Sequence, residues 1–332
     1  MKQDQSKLER LDRCPLCQST KIEHWTTGRD RLHHVSEHSF EYQHCLNCDV
    51  VFQSPRPHAD QIADYYPQDY SPHLAKQSQS GIKNPLRFLT KPVLRWMDRD
   101  MRRRTLNAEL ESELATIDSK LSNAGTMADF GCGSGTYLVK ARKMGCHAIG
   151  IDFSPNALAE VQAKGFQALP VSTATWQTLG SNQVGFFRMN HVIEHLYDPI
   201  DTLSHIFSAL KPGGFLHIAT PNPMGNSARK YRENWFGLDC PRHIMLLPPH
   251  TCKALLEARG FTNVRFIYDT HPKDIVRSWA YRLEDKYNWR PSQNVTGLAS
   301  NIWLNYLAGR TVHIKSLTDD GDRYHITAQK PL

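Results

Sequence analysis

The chain has 332 residues, 40% hydrophobic and 22% charged, enough to bury one large core or two moderate ones. That balance excludes a disordered chain, and no uncharged apolar run reaches the ~20 residues of a membrane-spanning helix. A net charge of +7 is too mild to mark a nucleic-acid binder and suits an anionic small-molecule substrate.

Residues Met1 to Arg10 contain no apolar core of a secretory signal, so a cytoplasmic protein with reduced thiols is expected. Two pairs of cysteines then open the chain, Cys14-Pro15-Leu16-Cys17 and Cys45-Leu46-Asn47-Cys48. Four thiolates on two tight knuckles form the tetrahedral sulfur set that Zn²⁺ prefers, with no ligand position left open for chemistry. Residues 1–58 therefore read as a small zinc-ribbon-like domain with short strands between the knuckles. The other four cysteines, Cys132, Cys146, Cys240 and Cys252, stand alone in sequence and read as packing residues.

Residues 59–119 read as a connector. It begins irregular and rich in Pro and Tyr (Tyr65, Tyr66, Tyr70), and residues 73–84 read as a flexible loop. A helix is expected from Asn84 to about Ser119. Leu86, Leu89, Val93, Leu94 and Met97 recur at helical spacing, while Lys91, Arg95, Arg99 and Arg102 to Arg104 carry charge. A basic amphipathic helix can make peripheral contact with a membrane or meet a phosphate; a solvated helix face is the plainer expectation.

From Thr126 the texture alternates between strand and helix. Strands are expected at Thr126–Gly131, His147–Ile151, Gly185–Met189, Gly214–Ala219 and Tyr324–Ala328, with helices such as 136–144 and 252–259 between them. Alternation of this kind indicates an α/β, doubly wound, Rossmann-like parallel sheet over residues 120–332. Between the first strand and helix lies Asp129-Phe130-Gly131-Cys132-Gly133-Ser134-Gly135, and Asp152 closes the second strand. Glycines there let backbone N–H groups approach a ligand, and an acid ~20 residues on can hold ribose hydroxyls. The third glycine arrives one position early for a dinucleotide motif, and the carboxylate of Asp129 suits a cationic amino-acid end better than a pyrophosphate.

These residues, with Gly150-Ile151-Asp152-Phe153, His191 to Leu196 and Leu210-Lys211-Pro212-Gly213-Gly214-Phe215, resemble class I S-adenosylmethionine-dependent methyltransferases over residues 126–220. The resemblance implies that Asp129, Gly131, Gly133, Gly135 and Asn190 line the methionine end of the cofactor. It also implies that Asp152 holds the ribose diol and that Phe153 flanks the adenine. Many members carry an aspartate after the third strand; Val171 to Trp176 has no acid there.

His191-Val192-Ile193-Glu194-His195 spells the H-x-x-E-H of an inverted zinc peptidase. A peptidase needs those letters inside a helix, whereas here they follow an expected strand. Their better reading is an acid–base cluster between cofactor and acceptor, with a divalent metal at Glu194 and His195 kept as an alternative. Further on, Trp235 to His243 and Pro249 to Thr251 resemble a sugar methyltransferase branch that often carries an N-terminal four-cysteine domain. That branch implies His243 as general base, His195 as its partner, Tyr66 or Tyr70 as a hydroxyl contact, and a substrate cap around residues 222–250. Arg242 stands where sugar C-methyltransferases have a glutamate, and suits either a phosphate or carboxylate contact or an internal salt bridge. The expected activity is methyl transfer to a small polar metabolite, a nucleotide- or lipid-linked sugar first. Quinone or phenol O-methylation, RNA or protein methylation guided by the zinc ribbon, and a non-catalytic binding module are the rivals.

Overall fold

The computed structural model describes residues 7–67, 108–287, 301–311 and 321–332, together with Val93, Trp96, Met97, Arg99 and Asp100. Tyr70, the loop 73–84 and most of the expected basic helix, including Arg102 to Arg104, lie outside the described residues. No described helix is long and apolar enough to cross a membrane.

Short strands β1 (Leu8–Glu9) and β5 (Arg56–Pro57) pair antiparallel and close the segment just ahead of the connector. Between them, β2 (Ile22–Arg29), β3 (Ser39–Cys45) and β4 (Val51–Gln53) form an antiparallel meander. The two cysteine knuckles sit at one end of it and bring the Sγ atoms of Cys14, Cys17, Cys45 and Cys48 within 4.8 Å of one another. After a helix at Ala108–Ser122 come β6 (Thr126–Phe130), β7 (His147–Asp152), β8 (Gln167–Pro170), β9 (Val184–Asn190), β10 (Leu210–Pro221), β11 (Met245–Leu246), β12 (Thr262–Asp269) and β13 (Arg323–Gln329).

Seven of these strands build the large sheet in the order β8-β7-β6-β9-β10-β13-β12. From β8 to β10 all neighbours are parallel, but β13 runs antiparallel to both β10 and β12, so the sheet is mixed rather than parallel throughout. The reason is geometric. Asp269, which ends β12, lies opposite Arg323, which begins β13, so the returning strand enters at the edge its predecessor left and must run backwards. Helices fit their sequence punctuation: Ser154 caps Pro155–Ala163 through the Ala157 N–H at 3.3 Å, and Asp198 caps Pro199–Ala209 through the Asp201 N–H at 2.9 Å, each with proline at the first position. Leu203 and Ile206 of the latter are fully buried against the sheet.

The remaining strand, β11, comes from the segment 222–250 and does not join the large sheet. It pairs antiparallel with β4, giving a second sheet in the order β11-β4-β3-β2. Cys14, Cys45, Val50 and Phe52 accordingly share one buried cluster with Ile218, Ile244, Met245 and Leu247. The four-cysteine segment and the sheet segment are thus joined by backbone hydrogen bonds and by a common core.

Candidate active site

Order reverses between β6 and β9, whose carboxyl ends open a crevice of the kind in which doubly wound sheets bind ligands. A cavity of about 690 Å³ fills it. One end is lined by Gly131, Gly133, Asp152, Phe153, Val171 and Asn190, the other by His195, Trp235, Asp239, His243, Asp274 and Arg277. Such a volume accommodates a nucleoside and a small acceptor together.

At the first end, the strand β6 ends and the chain turns sharply. Gly131 has φ +77°, and a Cβ there would stand 2.2 Å from Val192 Cγ2, so only glycine lets the loop pass this close to the segment after β9. Asp152, nearly buried, accepts hydrogen bonds from the Gly133 N–H and the Ser154 N–H, both at 2.9 Å. Its carboxylate is thereby held at the cavity wall with lone pairs to spare for a diol. Burial raises its pKa, against the lowering effect of those two N–H groups. The Phe153 ring is exposed to the cavity and lies 5.5 Å from the Tyr66 ring.

Asp129 is not itself among the residues lining the cavity. It is buried behind the loop, and Oδ1 accepts a hydrogen bond from Arg188 of β9 at 2.9 Å. Oδ2 has no hydrogen-bond partner among the described residues. Burial raises the Asp129 pKa in spite of the Arg188 charge. Gly135 does not face the cavity; it caps the helix Thr136–Lys143 in the left-handed conformation.

Glu194 and His195 sit on one 3-10 turn after β9, which removes the helical setting a peptidase motif requires. Glu194 is fully buried. Its Oε1 lies 3.2 Å from His191 Nδ1, and its Oε2 accepts from the Thr220 hydroxyl at 2.9 Å. Burial pushes its pKa up, but the His191 hydrogen bond and the nearby His243 and His195 rings prevail and bring it to about 2. His191 itself, at φ +56°, orders the turn through its N–H to the Ala219 carbonyl at 2.8 Å.

The two histidines meet edge to face, ring centroids 4.7 Å apart. His195 Nδ1 lies 2.9 Å from the Arg242 carbonyl and 3.2 Å from the Tyr66 hydroxyl. His243 Nδ1 lies 2.8 Å from the Gly237 carbonyl. A carbonyl can only accept, so both rings carry the proton on Nδ1 and keep an Nε2 lone pair. His243 Nε2 stands 3.8 Å from both Glu194 Oε1 and Asp239 Oδ2. Partial burial, with the His243 ring second, lowers the His195 pKa to about 4.

These shifts fix the sign of an acid response. His195 binds its proton near 6.5 unfolded and near 4 folded, so its contribution is complete above 6.5 and is lost as pH falls towards 4. Glu194, depressed from 4.5 to about 2, adds a second loss over that lower range. Stability measured by urea unfolding should therefore fall steadily below pH 6.5, and His195→Gln should flatten the segment between 6.5 and 4. An unchanged profile in that variant would remove His195 as the source.

Arg242 does not reach the cavity, and the phosphate-contact reading is corrected. Its guanidinium is fully buried and occupied by Asp239 Oδ1 at 2.6 Å, Asp30 Oδ1 at 2.9 Å and the Tyr65 carbonyl at 3.1 Å. An exposed anion site was lost because two carboxylates, one from far upstream, already satisfy the charge.

The acceptor end also holds Asp274, Arg277, Asp322 and Arg323, none of which stood out in the sequence. Arg277 donates to Asp274 at 3.0 Å and covers the Phe236 ring at 4.3 Å. Asp322 accepts from the Ser227 N–H and hydroxyl at 2.9 and 2.6 Å; burial dominates and pushes its pKa to about 6. The available signal was positional: Asp322 and Arg323 open the reversed strand at the ligand-binding edge, and Asp274 and Arg277 open the helix that follows β12.

Residues 97–265 match the family described as "Methyltransferase domain". The chain is 27% identical over 223 residues to a ubiquinone biosynthesis O-methyltransferase of Xanthomonas axonopodis pv. citri (strain 306), covering 64% of this chain and 87% of that one. It is 28% identical over 237 residues to a protein of the same name from Marinobacter nauticus, covering 68% and 92%. A solved structure, a SAM dependent methyltransferase from Archaeoglobus fulgidus, aligns with TM-score 0.46 and 19% identity over 74% of this chain and 99% of that one.

Proposed function

Since the chain belongs to the methyltransferase-domain family and is an S-adenosylmethionine-dependent methyltransferase, we propose that it methylates a small, hydroxyl-rich, sugar-like acceptor with His243 as general base. The cavity fits the cofactor: Asp152 offers a carboxylate for the ribose diol, Phe153 an aromatic face for adenine, and the Gly131–Gly133 loop a close backbone approach. Asp129 Oδ2, buried without a partner, leaves an acceptor for a cationic amino group behind that loop. When bound, the cofactor supplies an electrophilic methyl group on a sulfonium.

The rest of the chemistry belongs to the chain. His243 Nε2 takes the acceptor proton, and the imidazolium so formed faces Glu194 and Asp239, whose negative charges stabilise it. His195, kept neutral by its low pKa, presents a second Nε2 that accepts a hydrogen bond from the acceptor and orients it. The observation that carries the substrate class is the acceptor wall. Asp239, Asp274, Asp322, Arg277 and Arg323 stand there among apolar residues such as Trp235 and Phe236, and these polar groups favour an acceptor that carries hydroxyls on part of its surface.

A quinone or phenol O-methyltransferase is the second reading. It draws on the names of the two bacterial relatives and on Glu194, His195 and His243, whose ligand atoms lie within 4.8 Å of one another and would hold a divalent cation. Release of S-adenosylhomocysteine separates the two. The first reading expects turnover with nucleotide-linked or lipid-linked sugars and none with dihydroxylated aromatics; the reverse result, stimulated by Mg²⁺ or Zn²⁺, establishes the second. In calorimetry, Asp152→Ala should weaken S-adenosylmethionine binding by about 10- to 100-fold through loss of a charge-assisted diol contact. Unaltered affinity would remove Asp152 from the ribose site.

The four cysteines are proposed to hold one structural Zn²⁺. Cys14 and Cys48 Sγ are 3.6 Å apart and Cys17 and Cys45 Sγ 3.5 Å, close to the ~3.8 Å edge of a tetrahedron with Zn–S bonds of ~2.3 Å. A cytoplasmic location and a monomeric or oligomeric state are not needed for any step above.

A further inference from the structure

The four-cysteine segment reaches beyond its own metal site. Asp30, which follows β2, is buried and binds three donors: the His33 N–H, the Val35 N–H and the guanidinium of Arg242. The Arg242 carbonyl in turn accepts the Nδ1 proton of His195. One residue on, the His243 carbonyl accepts from the hydroxyl of Tyr42 at 3.0 Å, and Tyr42 is a fully buried residue of β3. The next carbonyl, of Ile244, accepts from the Gln53 N–H at 2.9 Å, while the Ile244 N–H donates to the Glu194 carbonyl at 3.0 Å. The strip 242–244 is therefore clamped between β2–β4 on one side and the Glu194–His195 turn on the other. The clamp is close. A Cβ at Gly28 of β2 would stand 2.7 Å from Leu238 and 3.1 Å from Cys240.

From this we infer that Asp30 and Tyr42, supplied by the four-cysteine segment, are positioning residues for the base pair of histidines. Asp30 acts through Arg242 on the tautomer and place of His195, and Tyr42 acts on the place of His243. The inference rests on the methyltransferase reading with His243 as base, and it goes further: the segment becomes a wall of the catalytic site rather than an appended stabiliser. A purely structural segment would be expected to cap the core without gripping the two residues on which proton transfer depends. Two independent clamps on consecutive residues, one from the loop after β2 and one from β3, do more than that.

The experiment compares Asp30→Asn and Tyr42→Phe with the unaltered protein, full chain and with zinc bound. Both substitutions keep shape: Asp30→Asn removes the negative charge beneath Arg242, and Tyr42→Phe removes the hydroxyl that binds the His243 carbonyl. Nitrogen NMR of labelled histidines, on protein saturated with S-adenosylhomocysteine, reads the tautomers without any turnover. The unaltered protein is expected to show His195 and His243 protonated on Nδ1. Asp30→Asn should mix the His195 tautomers and lower kcat about 10- to 100-fold, with KM for the cofactor little changed. Tyr42→Phe should lower kcat less, with the His243 signal displaced. Asp30→Glu, which restores the charge, should recover part of the rate. Folded variants with unaltered histidine signals and unaltered kcat would overturn the inference. Absence of turnover in the unaltered protein, with the expected tautomer change still seen in Asp30→Asn, would count against the methyltransferase reading and leave the positioning contacts standing.

Discussion

His243→Gln is expected to cost about 10²- to 10⁴-fold in turnover while leaving S-adenosylmethionine affinity nearly unchanged, the range that loss of a positioned general base produces. Glutamine keeps most of the volume and can still donate to the Gly237 carbonyl, so the cavity wall should survive. What disappears is the Nε2 lone pair and the ability to carry a positive charge towards Glu194 and Asp239. His195→Asn should be the milder of the two, since His195 is assigned to orient the acceptor. Near-normal turnover by His243→Gln would transfer the base to His195 or dispense with one.

Metal removal is the second large effect. Metal analysis should find one zinc per chain, abolished by Cys45→Ser, and the metal-free protein should melt lower by more than about 10 °C in circular dichroism. Structural zinc in small domains supplies an apparent ~10–16 kcal/mol, comparable with the whole stability of a typical domain. The loss should not stay local. Cys14 and Cys45 are fully buried in the same cluster as Ile218 of the large sheet and Ile244 beside the proposed base, so loss of the ion that ties the two knuckles together would loosen a shared core. A metal-free chain with an unshifted melting curve would show that the cysteines pack without an ion.

The parts that were readable in the sequence are those written in short, periodic or spaced patterns. The loop from Asp129 to Gly135, Asp152 at a strand end and the two cysteine knuckles each need only a few consecutive residues to state their geometry. His195 and His243 could be singled out by motif, and they do face one cavity. Long-range pairing left no such trace. β11 is two residues long, too short for alternation to show, and it matters because of β4, far upstream. Arg242 carries a charge that looks available in sequence, and Asp239 three residues before it together with the tertiary approach of Asp30 consumes it. Asp129 was expected at the cofactor, and its Oδ1 is tied to Arg188, which stands opposite it in register and so presents its side chain on the same face of the sheet. The acceptor wall from Asp274 to Arg323 was invisible for the same reason: its members meet only once β13 has reversed.

The sheet β11-β4-β3-β2 also has a temporal meaning. A ribosome delivers Phe52 long before Met245, its antiparallel partner. Until then β4 has no partner on that side, and a meander formed early would present it as a bare, apolar edge, the kind of template on which chains pair with their neighbours. Closure of the meander has to wait for a contact of very large sequence separation, which places it among the slow steps of folding. The histidine at position 243 emerges just ahead of the strand that seals that edge, so closing the edge and seating the proposed base belong to nearly the same event, while the acceptor end still waits for β13.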